Sequence, residues 1–589
     1  MTPVAEKIRL GVAIGLVGVG FSGISARLAY LHLGPHDHTR IEVAKNRYHE
    51  KNFRGARGRI LDRSGRIMAL DLGRANVTAD ASYFCTKHTN SVDRIKILRA
   101  LSNHLQMDLA MVKNMVLPED GELDQYIMLK RAVSVDVAEN IRTEIKTNNI
   151  KGVMVEPITK RFYPHKNLLS HVVGFSNVLG DGCGGVELVM DQYLKGKAGI
   201  RTGQKDGRKH ELYNHRDLEI DARAGGSVFL TIDQYLQFHV ERELEAAMSN
   251  FNAKGAWAMI MDVKSGDILA MASKPDYDLN AYSRTPLETM RNQNVAMLYE
   301  PGSTVKPIVI AAALNDGVTH PDELIFCENK AWSYAGRILH DFHGYGDLSV
   351  ADVLKKSSNI GTAKVALRLG DQRLDEYLRR FGFGDKTGIQ LPGEQVGIFR
   401  PAEKWKKISI TRIAMGHEIS QTALQVLCAI NTIANNGFRV KPRLIDRIED
   451  SEGQLIHRFD SQVVDNPISV ETAKLVQKLM ARIAEEGGTG RRAAMENYTV
   501  AVKTGTAEKV VNGRYDRSKN VASMVGFLPA EAPQISMIVV VDEPQPLHTG
   551  GVVAGPVFKN IAEKAVRILN VPPSPAKVLE SKGAQAVVH

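Results

Sequence analysis

A serine and a lysine three residues apart, Ser303 and Lys306, stand before an apolar run of the chain. Pro301 and Gly302 precede the pair and residues 308–314 are apolar, which predicts the start of a helix. Residues three apart lie on one face of a helix, so the two side chains would be neighbours. Burial and the positive end of a helix both lower the pKa of a lysine, and a neutral amine can take the proton of a hydroxyl. The pair therefore predicts a serine nucleophile with a lysine base.

Ser357-Ser358-Asn359 is a second candidate for this chemistry. It follows an amphipathic run at residues 349–356, which we interpret as a helix. The hydroxyl of Ser357 can relay a proton, and the amide of Asn359 can hold a peptide group of a substrate. A polar turn without chemistry is the alternative interpretation.

Lys503-Thr504-Gly505-Thr506 is the third candidate. The alternating pattern of residues 498–502 predicts a strand that leads into it. On an edge strand, a lysine and two hydroxyls can face a substrate carboxylate. Gly505 would leave room for the close approach of a substrate backbone.

Each of these short patterns occurs more than once, so none is specific alone. The additional copies are Ser574 with Lys577, Ser518-Lys519-Asn520, and Lys386-Thr387-Gly388. We place the first in a Pro-rich tail, the second in a loop between strands, and the third in a Gly-rich loop at residues 382–393 with a structural role. The specific signal is the order of Ser303, Ser357 and Lys503, each in a suitable predicted element.

The composition is that of a globular protein: of 589 residues, 43% are hydrophobic and 24% charged. The formal net charge of +10 favours anionic partners, but the basic residues are spread out and form no nucleic-acid-binding motif. We therefore expect no nucleic-acid partner. The four cysteines, Cys85, Cys183, Cys327 and Cys428, lack metal-ligand spacing, and we expect buried free thiols while leaving possible disulfides open. No metal or cofactor site is predicted.

The N-terminal region predicts a membrane anchor. Residues 10–26 carry no charge, a run at the short end of what spans a bilayer. We interpret residues 1–9 as a short cytoplasmic tail and residues 10–33 as an uncleaved transmembrane helix, with a cleaved signal peptide as the alternative. Basic residues lie on both sides of the run, so their count does not fix the orientation.

Two further regions follow the predicted anchor. The first precedes the candidate residues, and the second contains them. Residues 34–225 show a mixed α/β pattern, and Gly225-Gly226-Ser227 marks its end. Beyond it, strands early and late around a helical middle predict an α+β fold with one antiparallel sheet packed between helices. The expected strands are 228–231, 256–262, 267–271, 500–503, 522–527 and 535–541, with a closing helix at 556–569. The tail at 571–589 is expected to be disordered.

The chain resembles the class B penicillin-binding proteins over nearly its whole length. Beside the three candidate motifs, the resemblance rests on Arg54-Gly55-x-Arg57-Gly58-x-Ile60-x-Asp62-Arg63-x-Gly65, Arg161-Phe162-Tyr163-Pro164, Gly184-Gly185-Val186-Glu187 and Thr231-Ile232-Asp233. It implies a transmembrane helix, an elongated pedestal or dimerisation-type domain at 34–225, and a transpeptidase domain of serine β-lactamase-like fold at 226–570.

The resemblance also implies a reaction and a role for each candidate residue. Ser303 would attack the penultimate D-alanine of a peptidoglycan stem pentapeptide, with Lys306 as base and Ser357 and Lys503 completing the catalytic set. An amine of a neighbouring stem would then take the acyl group, and β-lactams would acylate the same serine. The substrate-binding residues would be Asn359, Thr504, Gly505 and Thr506, and the backbone N–H groups of Thr506 and Ser303 would form an oxyanion hole.

Within the class, the resemblance points to the division branch. Asn359 stands where the elongation branch usually has Asp, and residues 299–303 and 381–394 also fit the division branch. Septal crosslinking on the outer face of the bacterial cytoplasmic membrane (the periplasm) is therefore expected. Its partners would be a membrane glycan polymerase, because the resemblance includes no glycosyltransferase domain, and other division proteins. An elongation-type transpeptidase, a D,D-carboxypeptidase or β-lactamase-like hydrolase, and a catalytically dispensable scaffold remain as alternatives.

Two departures from the family pattern lie near the candidate site. Val305 stands where an aromatic residue or Met is common, and residues 414–420 vary a segment that is usually Gly-rich. Neither departure removes a catalytic group, and both are expected to alter the affinity for β-lactams.

Overall fold

A computed structural model describes residues 3–33, 48–84, 91–117, 126–205, 211–575 and 577. The helices, in chain order, are α1 (Pro3–Leu33), α2 (Ser91–Leu105), α3 (Leu109–Val116), α4 (Val135–Thr147), α5 (Ser170–Val173), α6 (Gly185–Val189), α7 (Asp191–Leu194), α8 (Gln234–Asn250), α9 (Gln293–Ala296), α10 (Lys306–Asn315), α11 (Val350–Lys356), α12 (Asn359–Leu369), α13 (Asp371–Arg380), α14 (Ser409–Ile413), α15 (Ala423–Ala434), α16 (Val470–Ala481) and α17 (Gly550–Ile568).

The strands are β1 (Tyr48–Phe53), β2 (Ile60–Leu61), β3 (Ile67–Ala79), β4 (Ile127–Val133), β5 (Val153–Phe162), β6 (Gly199–Lys205), β7 (Glu211–Ile220), β8 (Ser227–Leu230), β9 (Gly255–Asp262), β10 (Ile268–Lys274), β11 (Leu324–Phe326), β12 (Ala331–Tyr334), β13 (Arg337–His340), β14 (Asp347–Ser349), β15 (Arg439–Val440), β16 (Ile445–Glu449), β17 (Leu455–Arg458), β18 (Val463–Asp465), β19 (Ala501–Val511), β20 (Arg514–Leu528) and β21 (Ile535–Asp542).

Helix α1 contains the predicted anchor. Its segment Glu6–Leu33 is long and apolar enough to cross a membrane. At a rise of about 1.5 Å per residue the whole helix is about 46 Å long, against about 30 Å for the hydrocarbon core of a bilayer. The helix therefore extends beyond both ends of the uncharged run at residues 10–26.

The chain divides into two units, which we describe separately. The first unit comprises Met1–Gly55 and Gly196–Arg223. Besides α1, it contains an antiparallel sheet in the order β1-β6-β7, with Tyr48 opposite Gln204 and Phe53 opposite Gly199.

The second unit comprises Ala56–Lys195 and Ala224–His589, and its centre is a five-stranded sheet in the order β10-β9-β21-β20-β19. Every neighbouring pair in this sheet is antiparallel. Strands β10 and β21 are buried along their whole length. Helices α8 and α17 pack on each other and on this sheet, α15 packs on β20 and β21, and α16 packs on β19. The predicted antiparallel sheet between helices, and the α+β class, are confirmed.

Helix α10 lies deep in the second unit. It is apolar on all sides, and its residues from Lys306 to Ala313 are buried among neighbouring helices that include α12, α13 and α16. Such a helix has no solvent face, so a polar side chain at its start must find partners inside the protein. Lys306 is that side chain.

Three of the motifs before residue 200 meet in one buried ion cluster. Glu187 accepts from Arg57 Nε at 2.5 Å and from Arg161 Nε at 2.6 Å, and all three side chains are nearly inaccessible to solvent. Arg57 also pairs with Asp191 at 2.6 Å, and Arg161 with Asp71 at 3.3 Å. These residues neutralise one another within the cluster, which gives the motifs a structural function.

Asp62, from the same motif region, is fully buried at a turn. One of its carboxylate oxygens accepts from the backbone N–H groups of Ser64 and Arg66, both at 2.8 Å, and the other from Gln234 N at 3.2 Å. Gly65 completes the turn with a φ of +83°. The turn thereby holds the first residue of α8.

Helix α17 begins earlier than predicted. It starts at Gly550, so the prediction of a start at residue 556 was wrong, and Pro556 lies inside the helix. A proline there removes only its own N–H bond to the carbonyl of Val552, and the buried apolar face of α17 outweighs this loss.

The predicted position of Ser518-Lys519-Asn520, the additional copy of the Ser357 motif, was also wrong. Ser518 lies within β20 and not in a loop between strands, at a bulge where the pairing shifts from Glu508 opposite Asn520 to Lys509 opposite Asp516. Its hydroxyl donates to Asp516 at 2.6 Å, so it forms part of a local turn. Lys386-Thr387-Gly388 does lie outside the strands, and Thr387 donates to Glu394 at 2.6 Å.

The described cysteines and the start of the tail complete the fold. Cys327 and Cys428 are buried free thiols as expected, whereas the free Cys183 is exposed, contrary to that expectation, because it follows a turn closed by the Ser176–Gly182 bridge. Cys85 lies outside the described residues. Ser574, at the start of the predicted tail, is buried and accepts from Thr499 N at 2.8 Å, and the tail beyond residue 577 lies outside the described residues.

Candidate active site

Ser303 lies in a tight turn that leads directly into α10. The turn is a 3₁₀ segment, Gly302–Val305, and α10 begins only at Lys306. Ser303 was predicted to lie in the first turn of the α-helix, but it lies in the short 3₁₀ segment that directly precedes this helix. Thr304 closes the turn by donating its hydroxyl to Pro301 O at 2.7 Å. We call Gly302–Val305 the nucleophile turn.

The nucleophile turn is held between two other parts of the chain. On one side, Gly302 N donates to Gly416 O at 3.2 Å, and a Cβ on Gly416 would lie only 2.1 Å from Gly302 O. On the other side lies strand β19, where a Cβ on Gly505 would come within 2.9 Å of Thr304 and 3.1 Å of Pro301 O. The space beside Gly505, which the sequence interpretation assigned to substrate, is thus occupied by the nucleophile turn itself.

Lys306 is fully buried and makes three contacts with the second motif. Its Nζ lies 2.6 Å from Ser357 O, 2.6 Å from Asn359 Oδ1 and 3.3 Å from Ser357 Oγ. Burial lowers the pKa of Lys306 from 10.5 to about 7, although the charge of Asp341 opposes this shift. A neutral amine has two N–H bonds and one lone pair. The two nearest oxygens can take both N–H bonds, and the lone pair remains available for a proton.

Ser357 lies between the two buried lysines. Lys503 Nζ lies 2.9 Å from Ser357 Oγ and 2.9 Å from Thr504 O. Burial, together with the nearby charge of Lys306, holds the pKa of Lys503 well below its ordinary value. The Ser357 hydroxyl therefore has hydrogen-bonding partners on both sides, which a proton relay requires.

The local backbone aims Ser357 into this position. Ser357 ends α11 in the left-handed conformation, with φ +60°, and Ser358 starts α12 by accepting from Gly361 N at 2.9 Å. A helix end of this kind usually carries glycine, because a side chain is strained there. The polar contacts of Ser357 with the two lysines offset that strain.

Asp341 was missed by the sequence analysis. It is buried, accepts from the Ser358 hydroxyl at 2.6 Å and from Ile360 N at 3.1 Å, and also accepts from Asn359 N. It precedes the serine motif within a loop, and no spacing rule connects it with Lys306. Its carboxylate fixes the start of α12, which carries Asn359, and favours the charged form of Lys306.

Thr504 and Thr506 flank Gly505 on β19. Thr506 Oγ1 accepts from Gly550 N, in the first turn of α17, at 2.9 Å. A hydroxyl that accepts an N–H keeps its own proton for another acceptor, such as a carboxylate. Thr504 Oγ1 donates to Thr489 Oγ1 at 3.1 Å, and Thr489 was not identified from the sequence.

The structure thus brings the candidate residues together from three elements. Direct hydrogen bonds join Lys306, Ser357, Asn359 and Lys503. The nucleophile turn carries Ser303, and strand β19 carries Thr504, Gly505 and Thr506 next to Lys503. The hydrogen bonds of Lys306 reach Ser357 and Asn359 rather than Ser303. In the part of the chain that the structure describes, no group of three or more His, Cys, Asp or Glu side chains could hold a metal ion.

Comparisons with known proteins match both halves of the chain. Residues 256–563 match the penicillin-binding protein transpeptidase domain, and residues 53–228 match the penicillin-binding protein dimerisation domain. The peptidoglycan D,D-transpeptidase FtsI of Escherichia coli K12 is 32% identical over 571 residues, which cover 96% of this chain and 92% of that protein. Stage V sporulation protein D of Bacillus subtilis is 32% identical over 526 residues, covering 88% and 79%.

Solved structures agree with this assignment. The crystal structure of penicillin-binding protein 3 from Mycobacterium tuberculosis, complexed with aztreonam, superposes with a TM-score of 0.67 at 25% identity, covering 89% of this chain and 98% of that one. Its likeness extends across both matched domains. The chain belongs to the class B penicillin-binding proteins, and it is a peptidoglycan D,D-transpeptidase.

Proposed function

We propose that Ser303 is the nucleophile of this transpeptidase and that Lys306 is its base. The observation that carries the proposal is the fully buried Lys306, whose pKa is lowered to about 7 while both of its nearest partners are oxygen acceptors. About half of such an amine is neutral at pH 7, and Ser303 lies three residues before it, at the start of the same helical segment.

The first half of the reaction forms an acyl-enzyme. Ser303 Oγ attacks the carbonyl carbon of the penultimate D-alanine and loses its proton to Lys306. When the tetrahedral intermediate collapses, the bond to the terminal D-alanine breaks, and Ser357 passes the proton to the departing amine. Lys503 holds Ser357 in place for this transfer. The products are an ester on Ser303 and free D-alanine.

The second half transfers the acyl group. The amine of a neighbouring stem attacks the ester carbonyl and gives a proton to Lys306, through Ser357 or directly. The new amide bond forms, the ester bond breaks, and the proton returns to Ser303 Oγ. The enzyme ends unchanged, and one crosslink replaces one D-alanine.

The remaining candidate residues bind the substrate. Thr506, with its free hydroxyl proton, holds the terminal carboxylate, and Lys503 and Thr504 lie near it. The second N–H of the Asn359 amide holds the donor peptide. The backbone N–H groups of Ser303 and Thr506 stabilise the oxyanion, an effect of about 3 kcal/mol for each donor. A Cβ on Gly302, the residue before Ser303, would lie 3.2 Å from Thr506 O, which supports the proximity of the two N–H groups.

A donor peptide ending in D-Ala-D-Ala tests the proposal. We expect release of D-alanine and, when an acceptor amine is present, a new amide product. Ser303→Ala should abolish both, whereas Ser518→Ala, a control serine at the β20 bulge in the additional copy of the Ser357 motif, should keep both. Release of D-alanine without any acceptor-dependent product would favour a hydrolase, and full activity of Ser303→Ala would exclude Ser303 as the nucleophile.

We further propose that the enzyme crosslinks septal peptidoglycan during division. Asn359 and the segments around Ser303 support the division branch, whereas the similarity to a sporulation protein favours no single process. Depletion of the protein in its bacterium distinguishes the alternatives. Filamentous cells are expected, and rounded cells would indicate an elongation enzyme instead.

We also propose a location and partners. Helix α1 would anchor the chain in the cytoplasmic membrane with the catalytic domain on the outer face, where a membrane glycan polymerase of the division complex supplies uncrosslinked strands. In this arrangement we place the domain boundaries near residues 33, 225 and 570. Removal of residues 1–33 should release the protein from membranes while its acylation by penicillin continues, and release without α1 removal would contradict the anchor.

A further inference from the structure

One carboxylate, that of Glu300, connects the nucleophile turn with two other segments. Glu300 lies three residues before Ser303, and its side chain is only 11% exposed. One of its oxygens accepts from the Tyr515 hydroxyl at 3.0 Å and from Glu418 N at 2.9 Å. The other lies 2.7 Å from His417 Nδ1. None of the proposed catalytic steps uses this cluster.

Tyr515 belongs to a part of the β19–β20 hairpin that extends beyond the sheet. Strand β20 pairs with β21 only from Val521 onward, whereas its pairing with β19 continues to the hairpin end, where Val511 faces Arg514. Residues 509–516 therefore have a strand partner on one side only, and we call them the outer hairpin. Side-chain contacts must hold the outer hairpin in place.

The outer hairpin has two polar attachments among the described residues. Lys509 pairs with Asp542 at 3.0 Å and with Glu543 at 2.7 Å, which ties the outer hairpin to the end of β21. Tyr515 donates to Glu300, which ties the outer hairpin to the nucleophile turn. Only the second attachment reaches the segment that carries Ser303.

His417 and Glu418 belong to the segment that departs from the Gly-rich family pattern. Glu418 has a φ of +60°, and its carboxylate accepts from Ser409 Oγ at 2.8 Å and from Arg400 at 2.6 Å. The His417 ring also meets the Tyr515 ring edge-on, with the ring centres 5.8 Å apart. Ser409 and Arg400 therefore hold the segment through Glu418. The segment in turn places the His417 ring and the Glu418 backbone N–H against Glu300.

We propose that Glu300 is a positioning residue, and that with Tyr515 it holds strand β19 at the distance from Ser303 that acylation requires. Strand β19 carries Lys503 and Thr506, so a shift of the outer hairpin relative to the nucleophile turn changes the catalytic geometry. Glu300 and Tyr515 touch no reacting atom. The inference rests on the proposed function of Ser303.

The test is a double-mutant cycle with Tyr515→Phe and Glu300→Gln, using a fluorescent penicillin. Stopped-flow measurements give the limiting acylation rate constant and the dissociation constant separately, for the folded, active fraction. Tyr515→Phe removes one hydroxyl that donates to a charged acceptor, and we expect the limiting rate constant to fall about tenfold. Tyr498→Phe is the matched control, because it removes one hydroxyl that donates to Val571 O at 2.9 Å away from this cluster.

The outcomes separate positioning from simple stability. A fall in the limiting rate constant for Tyr515→Phe, and no further fall in the double variant, supports the inference. An unchanged rate constant for Tyr515→Phe, or additive effects of the two changes, overturns it. If the wild type is not acylated at all, the proposed function of Ser303 fails first, and the inference fails with it.

Discussion

At the scale of single residues, the site depends on one lysine whose environment changes its acid–base behaviour. Lys306 lies at the start of an apolar helix, where burial lowers its pKa to about 7. Asp341 acts in the opposite direction, because its negative charge favours the protonated lysine. The working pH of the site therefore reflects a balance between burial and one carboxylate.

This balance predicts a pH profile for acylation. Only neutral Lys306 can accept a proton, so the acylation rate constant should rise between about pH 6 and pH 8 and then level off. Asp341→Asn removes the charge that raises the pKa of Lys306, and it should move the midpoint of the profile to lower pH. Rate constants measured across pH 5–9 check this, with the exposed Asp322→Asn as control. A midpoint that stays in place or moves to higher pH would contradict the account.

At the scale of elements, the site depends on close approach between strand β19 and the nucleophile turn. A Cβ on Gly505 would lie 2.4 Å from Ser523 Oγ and 2.9 Å from Thr304 Cγ2, so only glycine fits without displacement. The glycine therefore sets the spacing between the two elements that carry the candidate catalytic residues.

Gly505→Ala tests that spacing. We expect acylation by penicillin to fall about 100-fold, because a displacement near 1 Å at reacting groups costs this much. The control is Gly73→Ala, since a Cβ on Gly73 meets only Val135, at an ordinary 3.7 Å. Rate constants and thermal midpoints of both variants separate lost activity from lost folding. Normal acylation by Gly505→Ala would refute the spacing argument.

The elements show what sequence reasoning could reach. The central antiparallel sheet and the buried helix after Ser303 follow from periodicity and composition, whereas the ordered set of three motifs is recognised through the resemblance to the family. Asp341 and Glu300 could not be assigned roles, because their partners lie elsewhere in the chain and obey no spacing rule. The position of Gly505 in its motif was evident from the sequence. Its neighbours Thr304 and Ser523, which require a glycine there, lie elsewhere in the chain and could not be identified.

At the scale of the whole molecule, buried charges hold the second unit together. Glu187 neutralises both Arg57 and Arg161 in an almost solvent-free cluster. Glu241, on α8, is half-buried with fewer positive neighbours, and desolvation raises its pKa to about 7. Glu187 thus stabilises the fold through its two guanidinium partners, whereas Glu241 stabilises it when protonated.

Loss of Glu187 should destabilise the protein. Glu187→Gln leaves two buried guanidinium groups without their shared carboxylate, and removing one partner of a buried pair costs about 3–5 kcal/mol. We expect a clear fall in the midpoint of thermal unfolding. Glu139→Gln, which affects an exposed pair with Arg142, should change the midpoint little. A midpoint for Glu187→Gln equal to that of the control would show that the cluster is dispensable.

Glu241 predicts a pH dependence of stability with a definite sign. Its folded pKa, about 7, lies above its ordinary value of 4.5, so its contribution is full below pH 4.5 and is lost as the pH rises through 7. Glu241→Gln keeps an acceptor for Leu169 N and Gln237 without the charge. The variant should be more stable than the wild type by about 3 kcal/mol at pH 8 and equally stable near pH 4.5. Unfolding midpoints at both pH values check this, and a variant that is less stable at pH 8 would contradict it.

The central claim is that Ser303 forms the acyl-enzyme, and mass spectrometry of the penicillin adduct tests it most directly. The β-lactam ring opens without a leaving group, so the wild type should gain the full mass of the antibiotic on the peptide that contains Ser303. Ser303→Ala should gain no mass, while Ser518→Ala should behave as the wild type. A full adduct on Ser303→Ala, or an adduct mapped to another residue of the wild type, would contradict the account.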